Sequence, residues 1–150
     1  MRVLVLTHGN LGRELIAAAK TISGELPGIE CLCLDWQEGP GVARDRVLAT
    51  LERLKTEDEE VLVLTDMFGS TPCNLASSLS EEGRVEVLAG VNLPMVLRLA
   101  CLRDQGLSLH QTAHWLMEKG RSAICEAKIR TAPPKEVADP CLEEAAAPSR

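Results

Sequence analysis

The chain has little positive charge and few aromatic side chains. Its 16 Lys and Arg are outnumbered by 22 Asp and Glu, giving a formal net charge of -6, and it contains two Trp, one Phe and no Tyr. Proteins that bind a phosphate backbone carry a basic face, often with aromatic side chains among the basic ones. The sequence has no such stripe or cluster, so nucleic acid is not expected as a partner.

Long apolar runs are also lacking. The first run, Val3 to Leu6, is too short for the apolar part of a signal peptide and far too short to span a bilayer. We therefore expect a cytoplasmic protein with no direct membrane insertion. The length of 150 residues suits one domain with a substantial core.

No C-x-x-C motif occurs among the six cysteines. Cys31 and Cys33 are two apart in a strand-like segment and face the same side, whereas the other four are scattered. This spacing favours buried or incidental thiols over a zinc site or a structural disulfide. His110 and His114 have the i, i+4 spacing of zinc ligands, but a third ligand is not evident, so neither a metal nor a cofactor is expected.

Short apolar runs alternate with helical patterns along the chain. The expected strands are Val3–Leu6, Ile29–Leu34, Val61–Thr65 and Val85–Ala89. The expected helices span Gly12–Ser23, Pro40–Lys55, a segment capped by Thr71 and running towards Ser80, a segment starting at Asn92 to Pro94, and Ser108–Gly120, with Gly120 as the closing residue. Unbroken apolarity and alternation with helices predict an α/β fold with an open, doubly wound, mainly parallel sheet covered by helices on both faces.

The last part of the chain differs in composition. From Thr131 it is rich in Pro, Ala and Glu, which predicts a domain over residues 1–130 followed by a flexible tail over 131–150. The segment Ala123–Ile129 fits either a fifth strand or the end of a helix.

Polar residues follow three of the predicted strands. These turns read Thr7-His8-Gly9, Asp66-Met67-Phe68-Gly69-Ser70-Thr71-Pro72 and Gly90-Val91-Asn92-Leu93-Pro94. Ligands of open α/β sheets bind outside the carboxyl ends of strands, so an imidazole and a carboxylate are expected to meet there. Gly9 and Gly69 permit close backbone approach, and the helix start at Ser70 and Thr71 offers N–H groups to anionic oxygens.

Structural roles remain open for each of these residues. His8 is also consistent with a structural histidine that bonds a nearby carbonyl. Asp66 is consistent with a residue that only caps a turn, and Thr71 with a simple helix cap. Phe68 fits either partner docking or local packing on the next helix. Trp36, after the second strand, fits a position on the same strand-end rim, but structural packing is favoured for it.

Three ordered segments resemble the IIA component of the mannose-type family of the bacterial sugar phosphotransferase system. They are Leu6-Thr7-His8-Gly9, Thr65 to Asn74 with its Asp66-Met67-Phe68-Gly69-Ser70 core, and Leu88 to Met95 with Gly90-Val91-Asn92-Leu93-Pro94. Order and spacing agree over residues 1 to about 130. Two positions depart from the family pattern: Cys73 replaces the usual aromatic residue, and Thr71 stands where Ser is common.

The resemblance implies a phosphotransferase that works through a phosphohistidine. His8 would accept a phosphoryl group on Nε2 from the histidine-containing phosphocarrier protein and pass it to a separate IIB component in sugar uptake, with Asp66 as its acidic partner. It also implies phosphoryl binding by Thr71, Ser70, Gly69 and Gly9, and partner docking by Phe68, Asn92 and Pro94.

The same resemblance implies a sheet order of 2-1-3-4 and a homodimer that exchanges an antiparallel fifth strand around Ser122–Ile129. Other functions stay open: a phosphorylation-dependent regulator, or the phosphocarrier of a dihydroxyacetone kinase. A receiver-like domain phosphorylated on Asp66 or a flavin-binding domain also fits the fold, but neither explains His8, and a receiver needs an acidic pair after its first strand.

Overall fold

The computed structural model describes residues 1–55, 59–104 and 106–127, without the side chains of 102–104. Its elements are β1 Arg2–His8, α1 Leu11–Ser23, β2 Ile29–Leu34, α2 Pro40–Leu54, β3 Val61–Thr65, α3 Thr71–Ser78, β4 Val85–Ala89, α4 Leu93–Arg98, a 3₁₀ helix Leu99–Asp104, and α5 Leu109–Ser122. Within these ranges, no helix combines the length and apolarity that crossing a bilayer requires.

The strands form one parallel sheet in the order β2-β1-β3-β4. β1 lies between β2 and β3, with His8 paired to Leu34 and Leu6 paired to Thr65. The carboxyl ends of β1, β2 and β3 therefore lie along one edge of the sheet. This confirms the predicted α/β class and the 2-1-3-4 order.

Helices cover both faces of the sheet, which explains why the central strands are apolar at successive positions. Val3 and Val5 on β1 pack in a cluster with residues of α1, α4 and α5, whereas Leu4 and Leu6 pack in a second cluster with residues of α2 and α3. Full burial of each such side chain contributes about 1.5–3 kcal/mol. The site at the strand ends thus stands on a well-packed support.

The end of α5 differs from the prediction. The helix continues to Ser122, and Gly120 lies buried inside it instead of closing it. A Cβ at Gly120 would lie 2.6 Å from Sδ of Met95 on α4, and the Gly120 carbonyl accepts a hydrogen bond from Nδ2 of Asn92 at 3.3 Å. This glycine therefore permits the close approach of α4 and α5. In the sequence, a glycine with this packing role cannot be distinguished from one that ends a helix.

The segment predicted as a fifth strand or helix end, Ala123–Ile129, directly follows α5, which ends at Ser122. Residues 123–127 are exposed and form no strand, while 128–130 lie outside the described residues. The predicted tail, 131–150, also lies outside them. The exchanged strand and the domain boundary at 130 stay predictions.

Candidate functional site

The carboxyl ends of β1 and β3 bring an imidazole and a carboxylate together. His8 is the last residue of β1, and Asp66 directly follows β3. Nδ1 of His8 lies 2.9 Å from Oδ2 of Asp66, and the backbone N–H of His8 donates to the same oxygen at 2.8 Å. A carboxylate in this position favours a proton on Nδ1 and leaves Nε2 of the neutral ring with a free electron pair.

The second oxygen of Asp66 is bound within its own turn. Oδ1 accepts from the N–H of Met67 at 2.8 Å and from Oγ of Ser70 at 3.1 Å. Burial raises the pKa of the Asp66 carboxyl, but hydrogen bonds from the His8 backbone, the His8 ring and Ser70 outweigh that effect and hold the pKa below its ordinary value. Asp66 is therefore ionised at neutral pH, and it both caps its turn and orients the imidazole.

The two side chains are largely, but not completely, shielded from solvent. The His8 side chain is 17% exposed and that of Asp66 is 10% exposed. No described residue donates to or accepts from Nε2 of His8 in a hydrogen bond. The imidazole thus has one fixed nitrogen and one nitrogen without a protein partner among the described residues.

Ser70, and not Thr71, caps α3. Its Oγ accepts from the N–H of Cys73 at 3.4 Å. The predicted cap is wrong by one residue because adjacent hydroxyl side chains both satisfy the cap pattern, and the helix begins one position earlier than Pro72 indicates. Thr71 is instead exposed in the first turn of α3.

The predicted phosphoryl-binding residues differ in what they offer. Gly69 has a φ of +77°, a conformation that favours glycine, and it leads into the positive end of α3. Neither its N–H nor the N–H and hydroxyl of Thr71 bonds a described residue. The N–H of Gly9, by contrast, already donates to the carbonyl of Leu34 at 2.9 Å.

Trp36 lies on the rim of the strand ends, the alternative that the sequence favours less than structural packing. Its side chain is 77% exposed, yet its ring lies parallel to the His8 ring, with 4.4 Å between centroids and 6° between planes. The structural-packing assignment is wrong. The available signal was its position two residues after β2, on the edge of the sheet where β1 also ends.

Phe68 is 87% exposed, and the neighbouring Met67 is also exposed. The alternative in which Phe68 packs as local core on the next helix is therefore wrong. The turn after β3 therefore exposes two apolar side chains.

The turn after β4 uses its polar side chain inside the fold. Oδ1 of Asn92 accepts from the N–H of Met95 at 3.1 Å, and Nδ2 donates to the carbonyl of Gly120. Asn92 thus caps α4 and ties it to α5. Pro94 lies in the first turn of α4 and is half-buried.

The remaining candidates lie elsewhere. Nδ1 of His110 is 3.1 Å from Oε1 of Glu86 on β4. Cys31 and Cys33 face the same side, as predicted, with 3.6 Å between their sulfurs, and burial is the largest of the effects that raise the pKa of the Cys31 thiol to about 12. Cys101 is disulfide-bonded, so the expectation of a buried or incidental thiol is wrong at that position.

Known proteins include several with sequences similar to that of this chain. A family model described as "PTS system fructose IIA component", where PTS is the sugar phosphotransferase system, matches residues 2–116. The mannose-specific EIIAB component of Escherichia coli strain K12 is 31% identical over 145 residues, which is 96% of this chain and 44% of that protein. The fructose-specific EIIA component of Bacillus subtilis strain 168 is 33% identical over 103 residues, covering 68% of this chain and 70% of that protein. The chain spans less than half the length of the E. coli protein.

Solved structures show the same architecture. The mannose/sorbose-specific IIA subunit from Enterococcus faecalis matches with a TM-score of 0.76 and 25% identity, over 88% of this chain and 98% of that one. Component EIIA from Streptococcus agalactiae matches with a TM-score of 0.73 and 21% identity, over 83% and 95% of the two chains. The second match, at its lower identity, supports the fold alone.

Proposed function

Because the chain belongs to the family of fructose- and mannose-type IIA components of the sugar phosphotransferase system, we propose that it carries a phosphoryl group on His8. The donor is the histidine-containing phosphocarrier protein, and the acceptor is a separate IIB component in sugar uptake. The observation that carries the proposal is the 2.9 Å contact between Nδ1 of His8 and Oδ2 of Asp66.

The proposed step is an exchange between two imidazoles. The electron pair on Nε2 of His8 forms the new bond to phosphorus, while the P–N bond of the donor breaks and its electron pair returns to the donor nitrogen. The proton of His8 stays on Nδ1, where Asp66 stabilises the positive charge that the ring gains. Transfer to the IIB component repeats the step in the opposite sense.

The start of α3 is the proposed binding place for the phosphoryl oxygens. The N–H groups of Gly69 and Thr71 and the Thr71 hydroxyl have no partner among the described residues, and the helix dipole favours negative charge there. Ser70 serves indirectly, because its hydroxyl is bound to Asp66. Gly9 acts by allowing close approach, since its N–H is already used by Leu34.

Partner proteins are proposed to cover the exposed apolar turn that contains Phe68. Its ring is far more exposed than ordinary packing requires, and it is two residues from Asp66. Asn92 and Pro94 receive less support, because the amide of Asn92 is already bonded within the fold.

A homodimer is part of the proposal. A subunit-exchanged strand from the segment Ser122–Ile129 would cover the β4 edge of the sheet, which is an edge in the described chain. Size-exclusion chromatography with light scattering is expected to give twice the chain mass, and a monomer at all concentrations would reject the dimer.

Phosphoryl transfer to His8 is tested with phosphoenolpyruvate, enzyme I and the phosphocarrier protein. Mass spectrometry is expected to show one added phosphoryl group on the wild type and none on His8→Ala. The matched control is His114→Ala, an exposed histidine on α5, which keeps full labelling. Equal labelling of His8→Ala and wild type would reject His8 as the acceptor.

The chemical stability of the phosphoprotein separates the proposal from a receiver-like function. A phosphohistidine survives alkali and is lost in acid, whereas an acyl phosphate on Asp66 is lost in alkali. Incubation of the labelled protein with a purified IIB component then tests the onward step. Retention of all label on this chain in the presence of several mannose-type IIB components would contradict the carrier role.

A further inference from the structure

The stack between Trp36 and His8 has no role in the transfer step described above. Trp36 exposes 77% of its side chain, so burial of apolar area does not explain its position. One face of its ring instead lies against the His8 ring, at 4.4 Å between centroids and nearly parallel. A largely solvent-exposed indole that covers one face of an imidazole calls for an explanation in the chemistry of that imidazole.

The chain after β2 is held in a form that favours this contact. Oδ1 of Asp35 accepts from the N–H of Gln37 at 2.9 Å, and the carbonyl of Asp35 accepts from the N–H of Glu38 at 3.2 Å. Glu38 is in turn paired with Arg46 on α2, with 2.7 Å between the charged atoms. Trp36 therefore lies in a closed turn, which lowers the entropic cost of the stack.

Gly9 lies next to the indole. Its φ is +49°, a conformation that favours glycine, and a Cβ added there would be in ordinary van der Waals contact with Nε1 of Trp36, at 3.5 Å. The indole thus lies over both Gly9 and the His8 ring, on the side chain and backbone that end β1. Three contacts then constrain the position and orientation of the imidazole: Asp66 at Nδ1, Trp36 on one face of the ring, and β1 through the backbone of His8.

We propose that Trp36 is a positioning residue that fixes the plane of the His8 ring and stabilises the cationic, Nε2-phosphorylated form of that ring. The inference rests on the proposed phosphohistidine function. A phosphoryl group on Nε2 with a proton on Nδ1 leaves positive charge on the imidazole. The indole face carries negative electrostatic potential and attracts a cation within about 6 Å of its centroid. The stack therefore favours the phosphorylated ring over the free neutral ring.

The distinguishing measurement is the equilibrium constant for phosphoryl exchange between the phosphocarrier protein and this chain. Both proteins are kept well below the dissociation constant of their complex. A residue that only docks the donor changes the forward and reverse rates equally and leaves this constant unchanged, whereas a residue that stabilises the product changes it. Trp36→Ala is expected to lower the constant about twofold to fivefold, the size of an exposed cation–π contact.

Two variants control this result. Trp36→Phe keeps an aromatic face and is expected to retain most of the wild-type constant. Trp115→Phe, in the half-buried tryptophan on α5, is expected to leave the constant unchanged. An unchanged constant in Trp36→Ala, with both rates reduced together, would show a docking residue and overturn the inference.

A second readout does not depend on phosphorylation. Protons held against an indole face are shielded, so the carbon-bound ring protons of His8 are expected to have upfield NMR shifts that Trp36→Ala removes and Trp115→Phe keeps. Absence of these shifts in the wild type would overturn the stack itself. Clear shifts in a chain that accepts no phosphoryl group would reject the proposed function while leaving the stack intact, so the two failures are distinguishable.

Discussion

The turn after β3 and the turn after β4 are built alike and used differently. Each follows a parallel strand, contains a glycine with positive φ and starts a helix with a side-chain cap, Ser70 in one and Asn92 in the other. In the first turn the polar network reaches out through Asp66 to His8. In the second, the cap side chain reaches inward to the carbonyl of Gly120 on α5.

The difference lies in one extra polar residue. Asp66 precedes the cap by four positions and leaves one carboxylate oxygen free for the neighbouring strand, whereas Gly90 occupies the first position after β4 and has no side chain to offer. Similar local sequence signals therefore mark one turn that builds a site and one that joins helices. We expect substitutions in the first turn to change phosphoryl transfer and those in the second to change stability.

Asp66→Asn gives the largest expected effect on the first turn. The amide does not hold Nδ1 in its protonated form or stabilise the charged ring, so the rate of His8 phosphorylation is expected to fall by about 10²- to 10⁴-fold. Rapid-quench labelling measures this rate. Asp45→Asn, which removes an exposed carboxylate on α2, is the matched control. A decrease of less than threefold in the phosphorylation rate of Asp66→Asn would contradict the orienting role of Asp66.

Gly120→Ala tests the inward side of the comparison. The added Cβ would meet Sδ of Met95 at 2.6 Å, and overpacking of this kind lowers the free energy of unfolding by about 1–3 kcal/mol. Gly41→Ala on α2 is the matched control, because a Cβ there meets nothing within 4 Å. In urea unfolding, Gly120→Ala is expected to lower the free energy of unfolding, whereas Gly41→Ala is expected to raise it. Equal or higher stability of Gly120→Ala would contradict the packing role.

Ser70→Ala and Asn92→Ala compare the two caps directly. Each removes a helix cap and is expected to lower the free energy of unfolding by about 1 kcal/mol. Only Ser70→Ala also removes a hydrogen bond to Asp66, so it alone is expected to slow labelling, by about twofold to tenfold. The labelling rates of the two variants, measured under conditions in which both remain folded, show which cap contributes to phosphoryl transfer. Slower labelling in Asn92→Ala than in Ser70→Ala would reverse the assignment of the two turns.

The smallest expected effect is on the pH dependence of stability. Hydrogen bonds hold the folded-state pKa of Asp66 below its unfolded value, so their stabilisation is complete above about pH 4 and is lost as the pH falls through the folded-state pKa. The stability difference between wild type and Asp66→Asn is therefore expected to shrink as the pH falls below about 4 and through the folded-state pKa of Asp66. The difference for Asn92→Ala stays constant, because neither of its partners titrates. Parallel curves for both variants would show that Asp66 has no such linkage.

The sequence was sufficient for the architecture because its signals are local. The four apolar runs, the helical spacing between them and the order of motifs predicted the sheet and brought His8 and Asp66 to one edge. The errors concern features that depend on tertiary contacts or single-residue geometry. Ser70 and Thr71 are equivalent as cap candidates in the sequence, and Gly120 resembles a helix stop until Met95 is placed beside it. The role of Trp36 depends on a turn whose conformation no apolar pattern encodes.

The central claim is that Nδ1 of His8 holds the proton while Nε2 carries the phosphoryl group. NMR of the phosphorylated chain with ¹⁵N-labelled histidine tests it directly through phosphorus–nitrogen coupling and the proton bound to each ring nitrogen. The account predicts coupling at Nε2 of His8, a proton on Nδ1 and loss of that proton's protected signal in Asp66→Asn. A phosphoryl group on Nδ1, or on any other residue, would contradict it.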